Sequence, residues 1–499
     1  TGIDLSAVRA APGVVMVLSA EDLPDMPDCS PSAHDEPLLA VGRVHYVGQP
    51  VFLVVAESHL AARKAVRLGK VTYRELPALL TVDDALAANS RFEQGPVIWA
   101  KGDAAGAIAK APRVIEGSFE VGGQEHFYLE GQVAAAVPLE GGDMHVMSST
   151  QHPTEVQHKV AHALHLPMSA VRVEVRRMGG GFGGKESQGN ALAIACALAA
   201  RVLGRPCRMR YDRDDDMMIT GKRHDFRIDY DVGFDDQGRI LGLDVLLASR
   251  CGHSADYSGP VNDRAVLHID NCYHLPNLHV VSHRCRTNTQ SSTAFRGFGG
   301  PQGMFGIETV IEAIAQKLGL DPLDVRRVNL YRDPAVSGDP LSMTAPYGQV
   351  IEDFVADRIL DELEAESGYR QRRQAVAAFN ADHRTRKRGL AVTPLKFGIS
   401  FTATMLNQGG ALVMVYQDGT VAVNHGGTEM GQGLNTKMAQ VAADGLGIDV
   451  ARVRVTGTDT QKVPNASATA ASSGADINGA AINDACNQLR ARLAPVAAA

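Results

Sequence analysis

Residues 178–186 read MGGGFGGKE, with five glycines in six positions around Phe182. Such a run does not extend a strand or a helix well, because glycine gives up the most conformational freedom on ordering. It belongs where backbone must come close to something else. The flanks define where. Val171, Val173 and Val175 alternate along one face of a predicted strand, and the apolar run over 190–203 has the length and period of a helix. The chain is thus committed to a strand–turn–helix unit. Backbone N–H groups in such a turn, with the positive end of the helix dipole, favour an anionic guest.

A chain of 499 residues exceeds a single core and predicts about two to four domains. Hydrophobic residues at 45% and charged residues at 21% describe a globular protein and argue against extended disorder. The formal net charge of −7 leaves no basic footprint for nucleic acid. The fifty glycines are clustered, which points to shaped loops. Seven cysteines (Cys29, Cys196, Cys207, Cys251, Cys272, Cys285, Cys486) are dispersed without a CxxC pair. They build no thiolate metal or iron–sulfur site and fit a reducing, cytoplasmic setting. No apolar run has the length of a membrane span. The chain begins at Thr1 inside a structured-looking segment and stops at Ala499 just after a helical run over 479–493, so both ends read as cut.

Residues 1–85 mix short β-rich runs (VVMVLSA, GQPVFLVVA, KVTYRELP) with one helix over 58–68, a small α+β unit. A polar break follows at 88–95. From 114 to 333 the pattern alternates. A strand over 144–151, a helix over 154–164 and a strand over 171–178 lead into the glycine turn. Strand-period segments at 207–213 and 226–249 follow, the second split by a DDQGR hairpin turn, and an amphipathic helix spans 306–319. The passage 333–348 is the best linker candidate. Beyond it the sequence predicts a helix over 351–365, a basic break (HRTRKRG), and strands in LAVTPLKFGISF, ALVMVYQDG and TVAVNHGG.

Gly179, Gly181 and Gly184 satisfy GxGxxG, and Asp212 after the next strand imitates a ribose-binding acid; alone, this is a passable dinucleotide fingerprint. Similar loops recur, however. RGFGGPQG (296–303), HGGTEMGQG (425–433) and NASATAASSGAD (465–476) are further runs of small residues beside predicted elements. A dinucleotide needs one such loop. Four suggest convergence on one bulky polyanion, with Arg296 as a forked phosphate donor.

In this order, RMGGGFGGKES, TNTQSSTAFRGFGGPQG, KFGISFT, NHGGTEMGQG and SATAASSGAD resemble the molybdopterin-binding subunits of the xanthine dehydrogenase family, as do GGQEHFYLEGQ (122–132) and VGQPVFLVVAES. The resemblance spans the whole chain and is nearest the bacterial two-subunit form. It implies an α+β architecture: a small hammerhead-like α/β domain (1–85, its start missing) followed by two elongated mixed α/β molybdopterin-binding domains (105–335 and 349–499), the second truncated. It implies a molybdenum–molybdopterin cofactor held through its own dithiolene sulfurs, with no direct side-chain ligand to the metal.

By the same resemblance, Gln151 matches the glutamine that hydrogen-bonds the molybdenum centre, and Phe182 and Gly183 match the turn lying against it. Arg296, Met430, Gly431, Gln432, Ala470, Ala471 and Ser472 match the loops holding the pterin and its phosphate. Gln151, Phe182, Arg296 and Ala471 would form the metal's immediate environment. Phe298 and Phe401 resemble the rings that sandwich a purine, Glu186 and Arg264 the catalytic polar pair at its edges, and Thr402 a further contact. Aldehyde oxidases tend to carry other residues in place of the pair, and carbon monoxide dehydrogenases have a cysteine-bearing loop in place of AFRGFGG. Xanthine or hypoxanthine therefore outranks aldehyde as the expected substrate.

The implied reaction hydroxylates a purine carbon with water-derived oxygen and passes electrons to an iron–sulfur/FAD partner and then NAD, in a heterotetramer of two plus two subunits. Two other classes compete: a nucleotide-binding module using the 179–184 turn, and a non-catalytic assembly subunit. The family's general base is a glutamate in a Gly-Glu-Pro-like segment, and no Gly-Glu dipeptide occurs in this sequence. These 499 residues alone are therefore expected not to turn over xanthine even when supplied with cofactor; an ultraviolet assay for urate checks this.

Overall fold

The computed structural model describes residues 1–93 and 96–498; of the polar break at 88–95, Gln94 and Gly95 lie outside the described residues. The first 72 residues form two small ladders. Gly2–Asp4 pairs with Lys70–Thr72, and Val14–Ser19 with Phe52–Ala56, both antiparallel. The helix His59–Val66 packs beside them, capped by Ser58, whose hydroxyl accepts from the Ala61 amide.

The glycine turn hangs from a five-stranded mixed sheet in the order Cys207–Arg210, Val133–Pro138, Met144–Ser148, Val171–Val175, Thr458–Asp459. Val171, Val173 and Val175 are all buried, as the alternation predicts. The helix Asn190–Leu203 lies on this sheet and ends at Gly204 in the left-handed conformation. It starts only at Asn190, so the residues from Arg176 to Gly189 are free to form a loop. The last strand comes from near the end of the chain. Arg172 donates twice to the buried Asp459 carboxylate, at 3.0 and 2.6 Å, and this charged fork ties the late strand to the early sheet.

A second five-stranded sheet runs Val97–Lys101, Leu278–Arg286, Ile240–Gly252, Phe226–Phe234, Arg113–Val121. Its hairpin turns at Asp235–Gly238 as the DDQGR motif predicts. The largest apolar core lies between this sheet and the helices Ser258–Leu267 and Gly300–Leu318. The second of these begins six residues before the predicted 306. Gly299, at φ +95°, lets the chain enter, and Pro301 suits the first turn. A Cβ on Gly299 would stand 1.9 Å from the Val261 carbonyl oxygen, and one on Gly303 2.2 Å from that of Ala265. Part of RGFGGPQG is thus a helix–helix contact and not an open anion loop.

Three further expectations are corrected. LAVTPLKFGISF forms no strand. Pro394 lacks a ladder donor, and the segment's backbone groups bond instead to side chains: Asn271 takes the Pro394 carbonyl and the Lys396 amide, and Arg264 the carbonyls of Gly398 and Ser400. It is a strap. The predicted helix 351–365 starts at Ala356, because the Ile351 amide closes a turn onto the Met343 carbonyl. The 333–348 passage is ordered, with a short helix Pro334–Ser337 and a bridge between Thr344 and Val350. The remaining strands, Ala411–Val415, Val421–His425 and Val453–Val455, form a three-stranded sheet covered by the helices Leu434–Leu446 and Gly474–Ala498. Among the described residues no helix is long and apolar enough to cross a membrane.

The strap's anchorage rests on a buried ion-pair network. Arg326, 1% exposed, donates to Glu308 at 2.8 Å and Glu312 at 2.7 Å, while Glu308 also accepts from Asn271 at 2.9 Å and Tyr273 at 2.6 Å. Removing one partner of such a pair strands a buried charge. Arg326→Ala should therefore cost about 3–5 kcal/mol, measured by chemical denaturation.

Candidate functional site

The glycine turn is built on a buried lysine. Lys185 is fully buried; its ammonium donates to Glu130 Oε2 at 2.9 Å and to Ser149 Oγ at 2.8 Å, and lies 4.7 Å from the centre of the Tyr128 ring. The same Glu130 oxygen accepts from the Gly179 amide at 3.0 Å. Desolvation pulls the Lys185 pKa down, with Glu130 opposing, while the hydrogen bonds and Lys185 hold the Glu130 carboxyl below its usual range against burial.

Gln151 reads the other end of the turn. Its side-chain oxygen accepts from the Gly183 amide at 2.8 Å, and its side-chain nitrogen donates to the Thr469 carbonyl at 3.1 Å. Its backbone N–H donates to Lys185 O, and its carbonyl accepts from the Thr469 amide. The glycines are required by crowding. A Cβ on Gly181 would meet Gln151 Oε1 at 2.6 Å and Met430 Sδ at 2.9 Å; one on Gly183 would meet the Ala294 carbonyl at 2.7 Å. Phe182 itself takes a left-handed φ of +57° and stays 44% exposed.

Four more segments join here. The Arg296 amide donates to Phe182 O, Met178 N to Glu429 O, Thr428 N to Thr469 Oγ1, and Ser400 N to Ala471 O. The structure thereby connects Gln151, Phe182, Gly183, Arg296, Met430 and Ala471. Ala471 and Ser472 hold left-handed φ values of +54° and +57°, a strain seen at ligand-facing loops. Arg296, Gly431, Gln432 and Ser472 are exposed; Met430, Ala470 and Ala471 are half-buried.

One loop differs from expectation. In HGGTEMGQG the amides of Gly431, Gly433 and Asn435 donate to the Glu429 carboxylate, at 2.9, 3.1 and 2.8 Å. Burial would raise the Glu429 pKa, but these three donors outweigh it and hold it below the usual value. The helix start Leu434–Leu446 thus receives its anion from within the chain. Gln432 is turned back likewise, accepting from Met430 N and donating to Thr428 O.

A molybdopterin-type group fits what is present. Among the described residues, nothing lies within 4 Å of where a Cβ would project from Gly431 or Gly433, so backbone is open to a close neighbour. Among the described residues, Thr428 Oγ1 and Ser467 Oγ are buried without a hydrogen-bond partner, as befits loops awaiting a polar ligand. The dinucleotide alternative does not fit. Asp212 caps the helix Arg213–Ile219 and pairs with Arg63, and the glycine turn does not lead directly into a helix.

Beside the turn, Glu186 is buried at 5% exposure, and its carboxyl has no hydrogen-bond partner among the described residues. Burial first, then the charge of Asp256, pushes its pKa up to about 8. At neutral pH it is an acid holding its proton. Phe298, at φ +52°, sets its ring 6.0 Å from that of Tyr257, whose hydroxyl pKa is raised by burial and by Glu186. Arg264, 7% exposed, donates to the Gly398 carbonyl and, at 2.8 Å, to that of Ser400, with its guanidinium 5.5 Å from the Phe397 ring. It anchors the strap that carries Phe401 and Thr402. His268, kept neutral by burial with a pKa lowered to about 4, accepts from the Gly398 amide on the same strap. Phe401 is half-buried beside Gly426, Ala466 and Ile477, its backbone held both ways by Asn407; Thr402 is exposed. The structure records no direct ring contact between Phe298 and Phe401 among the described residues. Sequence reasoning missed Lys185, Glu130, Glu429, Tyr257 and Asp256. Lys185, Glu429 and Glu130 stood inside quoted motifs that could have signalled them, Glu130 within GGQEHFYLEGQ; Tyr257 and Asp256 did not.

The fold and these converging loops define a molybdopterin-binding protein, and comparison with known proteins agrees. Two models described as molybdopterin cofactor-binding domain match residues 88–330 and 362–499, and one described as the aldehyde oxidase and xanthine dehydrogenase a/b hammerhead domain matches residues 1–77. Relatives include xanthine dehydrogenase of Drosophila subobscura (47% identical over 498 residues) and xanthine dehydrogenase/oxidase of Mus musculus (45% over 495), each covering 99% of this chain and 36% of the relative. Nicotinate hydroxylase of Emericella nidulans is 45% identical over 472 residues, covering 93% of this chain and 34% of its own. Among solved structures, quinoline 2-oxidoreductase of Pseudomonas putida 86 aligns with a TM-score of 0.87 at 26% identity, over 99% of this chain and 65% of that one. Aldehyde oxidoreductase of Desulfovibrio gigas aligns at 0.83 and 26%, over 98% and 54%. The chain belongs to the aldehyde oxidase and xanthine dehydrogenase family and carries its molybdopterin-binding domains. It spans about a third of the length of the curated relatives it matches.

The folded chain holds the Glu186 proton up to about pH 8, whereas the ordinary carboxyl value is 4.5. Between those values the folded state binds more protons than the unfolded state, so this group lowers stability as pH rises. Glu186→Gln cannot lose a proton. Its stability relative to the unaltered chain should therefore improve between about pH 5 and about pH 8; a pH-independent difference in denaturation midpoint would show that Glu186 is already ionised.

Proposed function

We propose that this chain is the cofactor- and substrate-holding part of a molybdenum hydroxylase acting on hypoxanthine or xanthine. The observation carrying this reading is the pairing of the converging loops around Gln151 with a buried, neutral Glu186 near Tyr257, whose ring faces Phe298. Gln151, Phe182, Gly183, Arg296, Met430, Gly431, Gln432, Ala470, Ala471 and Ser472 would hold the molybdenum–molybdopterin group. When bound, that group supplies oxygen transfer and two-electron redox chemistry.

The chain's own residues bind and orient the ring. Phe298, backed by Tyr257, offers an aromatic face that holds a flat heterocycle by area and quadrupole rather than charge. Glu186, carrying its proton, donates a hydrogen bond to a ring nitrogen or oxygen at one edge. Arg264 keeps the strap in place with two of its five donors, leaving others to face charge developing on the ring. Phe401 and Thr402 arrive on that strap. A carboxylated ring, such as the nicotinate of the Emericella relative's name, would place an anion near the buried carboxyls of Glu186 and Asp256. The electrostatics therefore favour a neutral heterocycle. Electrons would leave through an iron–sulfur/FAD partner to NAD in a two-plus-two assembly.

In the full-length protein with its partner, Glu186→Ala and Arg264→Met should each cost about 2–4 kcal/mol in kcat/KM for xanthine, read by urate formation per bound molybdenum. Normal values in both variants would remove the purine assignment. Turnover of nicotinate in preference to xanthine would replace it.

A further inference from the structure

Asp256 is 3% exposed, lies in the left-handed region at φ +40°, and belongs to none of the glycine loops. Its carboxylate accepts four hydrogen bonds from three segments. Oδ2 takes the Ser187 hydroxyl at 2.6 Å and the Gln188 side-chain amide at 2.9 Å; Oδ1 takes the Thr293 hydroxyl at 2.7 Å and the Tyr257 N–H at 2.7 Å. The donors lie on segments that carry or face pocket residues. Ser187 follows Glu186 directly. Thr293 leads into the loop whose Arg296 amide bonds Phe182 O and whose Phe298 ring faces Tyr257. Gln188 also accepts from the Gly221 amide at 2.7 Å, which anchors that arm to the frame.

We propose that Asp256 is a positioning residue: its carboxylate fixes Glu186, through Ser187 and Gln188, in register with Phe298, through Thr293 and Tyr257. The Ser187 and Thr293 hydroxyls also meet each other at 3.4 Å, which closes the cluster around the Asp256 carboxylate. Such an arrangement is costly in charge. Burial raises its own pKa to about 6 despite four donors, and its charge in turn helps to hold the protons on Glu36, Glu155 and Glu186. A carboxylate buried at that cost is held in place by its donors. Relaxing any arm should let the edge contact and the stacking ring drift apart, so that the two no longer grip one ring together and binding weakens.

The inference rests on Glu186 and Phe298 being substrate contacts, and its test separates the two. In the full-length holoenzyme, Ser187→Ala and Thr293→Val should each lower kcat/KM for xanthine on the order of tenfold per bound molybdenum, mainly through KM, as befits one lost hydrogen bond to a charged group. Thr293→Ser, which keeps the hydroxyl, should restore KM to near the unaltered value. Asp256→Asn, which turns an amide N–H₂ onto donors, should be worse than either. Where it fails to accumulate folded protein, the two hydroxyl variants decide. A fall in melting temperature or molybdenum content with kinetics per molybdenum unchanged would mean a merely structural staple and overturn the proposal. Glu186→Ala is measured in parallel. If it abolishes turnover while the hydroxyl variants behave normally, the pocket reading stands and the positioning role falls. If Glu186→Ala is itself normal, both fall.

Discussion

One glutamine side chain sets the distance between the two halves of the site. Gln151 stands at the end of a strand, where its backbone and amide together bond the glycine turn at Gly183 and Lys185 and the late loop at Thr469. The far arm reaches 318 positions along the chain, from Gln151 to Thr469, and neither loop makes a regular ladder. A planar amide can accept on one end and donate on the other at fixed spacing. That is what lets two irregular loops face each other across a gap without a sheet or helix between them. The buried Lys185, clamped by Glu130 and Ser149, does the same for the turn's other flank.

The electrostatics are those of burial. Glu186, Glu36 and Glu155 have pKa values raised to about 8, 8 and 7, in each case by desolvation first. Glu429 goes the other way, because three amides reach it. Equal side chains are therefore given opposite protonation by whether the backbone turns its donors toward them. The site holds a neutral acid where a ring would lie and an ionised one where a helix begins. That division suits a pocket that grips a flat, uncharged molecule by shape and hydrogen bonds.

How far this was legible in the sequence depends on the reach of each interaction. The Val171–Val175 alternation, the apolar helix and the hairpin at 235–238 were readable because their determinants are local in sequence. The glycine run announced a close approach but not what came close. Gln151, Met430 and Ala294 are distant in the chain, so only a family pattern could place them. The strap over 390–401 misled because its apolar alternation suggests a strand, whereas its hydrogen bonds go to Asn271 and Arg264. Asp256 was invisible. A lone aspartate in CGHSADYSG carries no motif, and its meaning lies wholly in four partners drawn from three places. The site roles of Phe401 and Thr402 follow from resemblance, since neither makes a distinctive contact within the chain.

The glycines at 299 and 303 have a further implication. Their lack of side chains allows the helix bearing Arg264 to rest directly on the backbone of the helix that continues from Phe298, with carbonyl oxygens where a methyl group would otherwise be. Two elements in backbone contact cannot slide or tilt by small steps, because the first step inward is blocked and the first step outward opens a void. The frame around the pocket is therefore effectively incompressible. Divergence in what such a pocket accepts has to come from exchanging side chains upon that frame, so that relatives acting on quite different rings can keep one backbone.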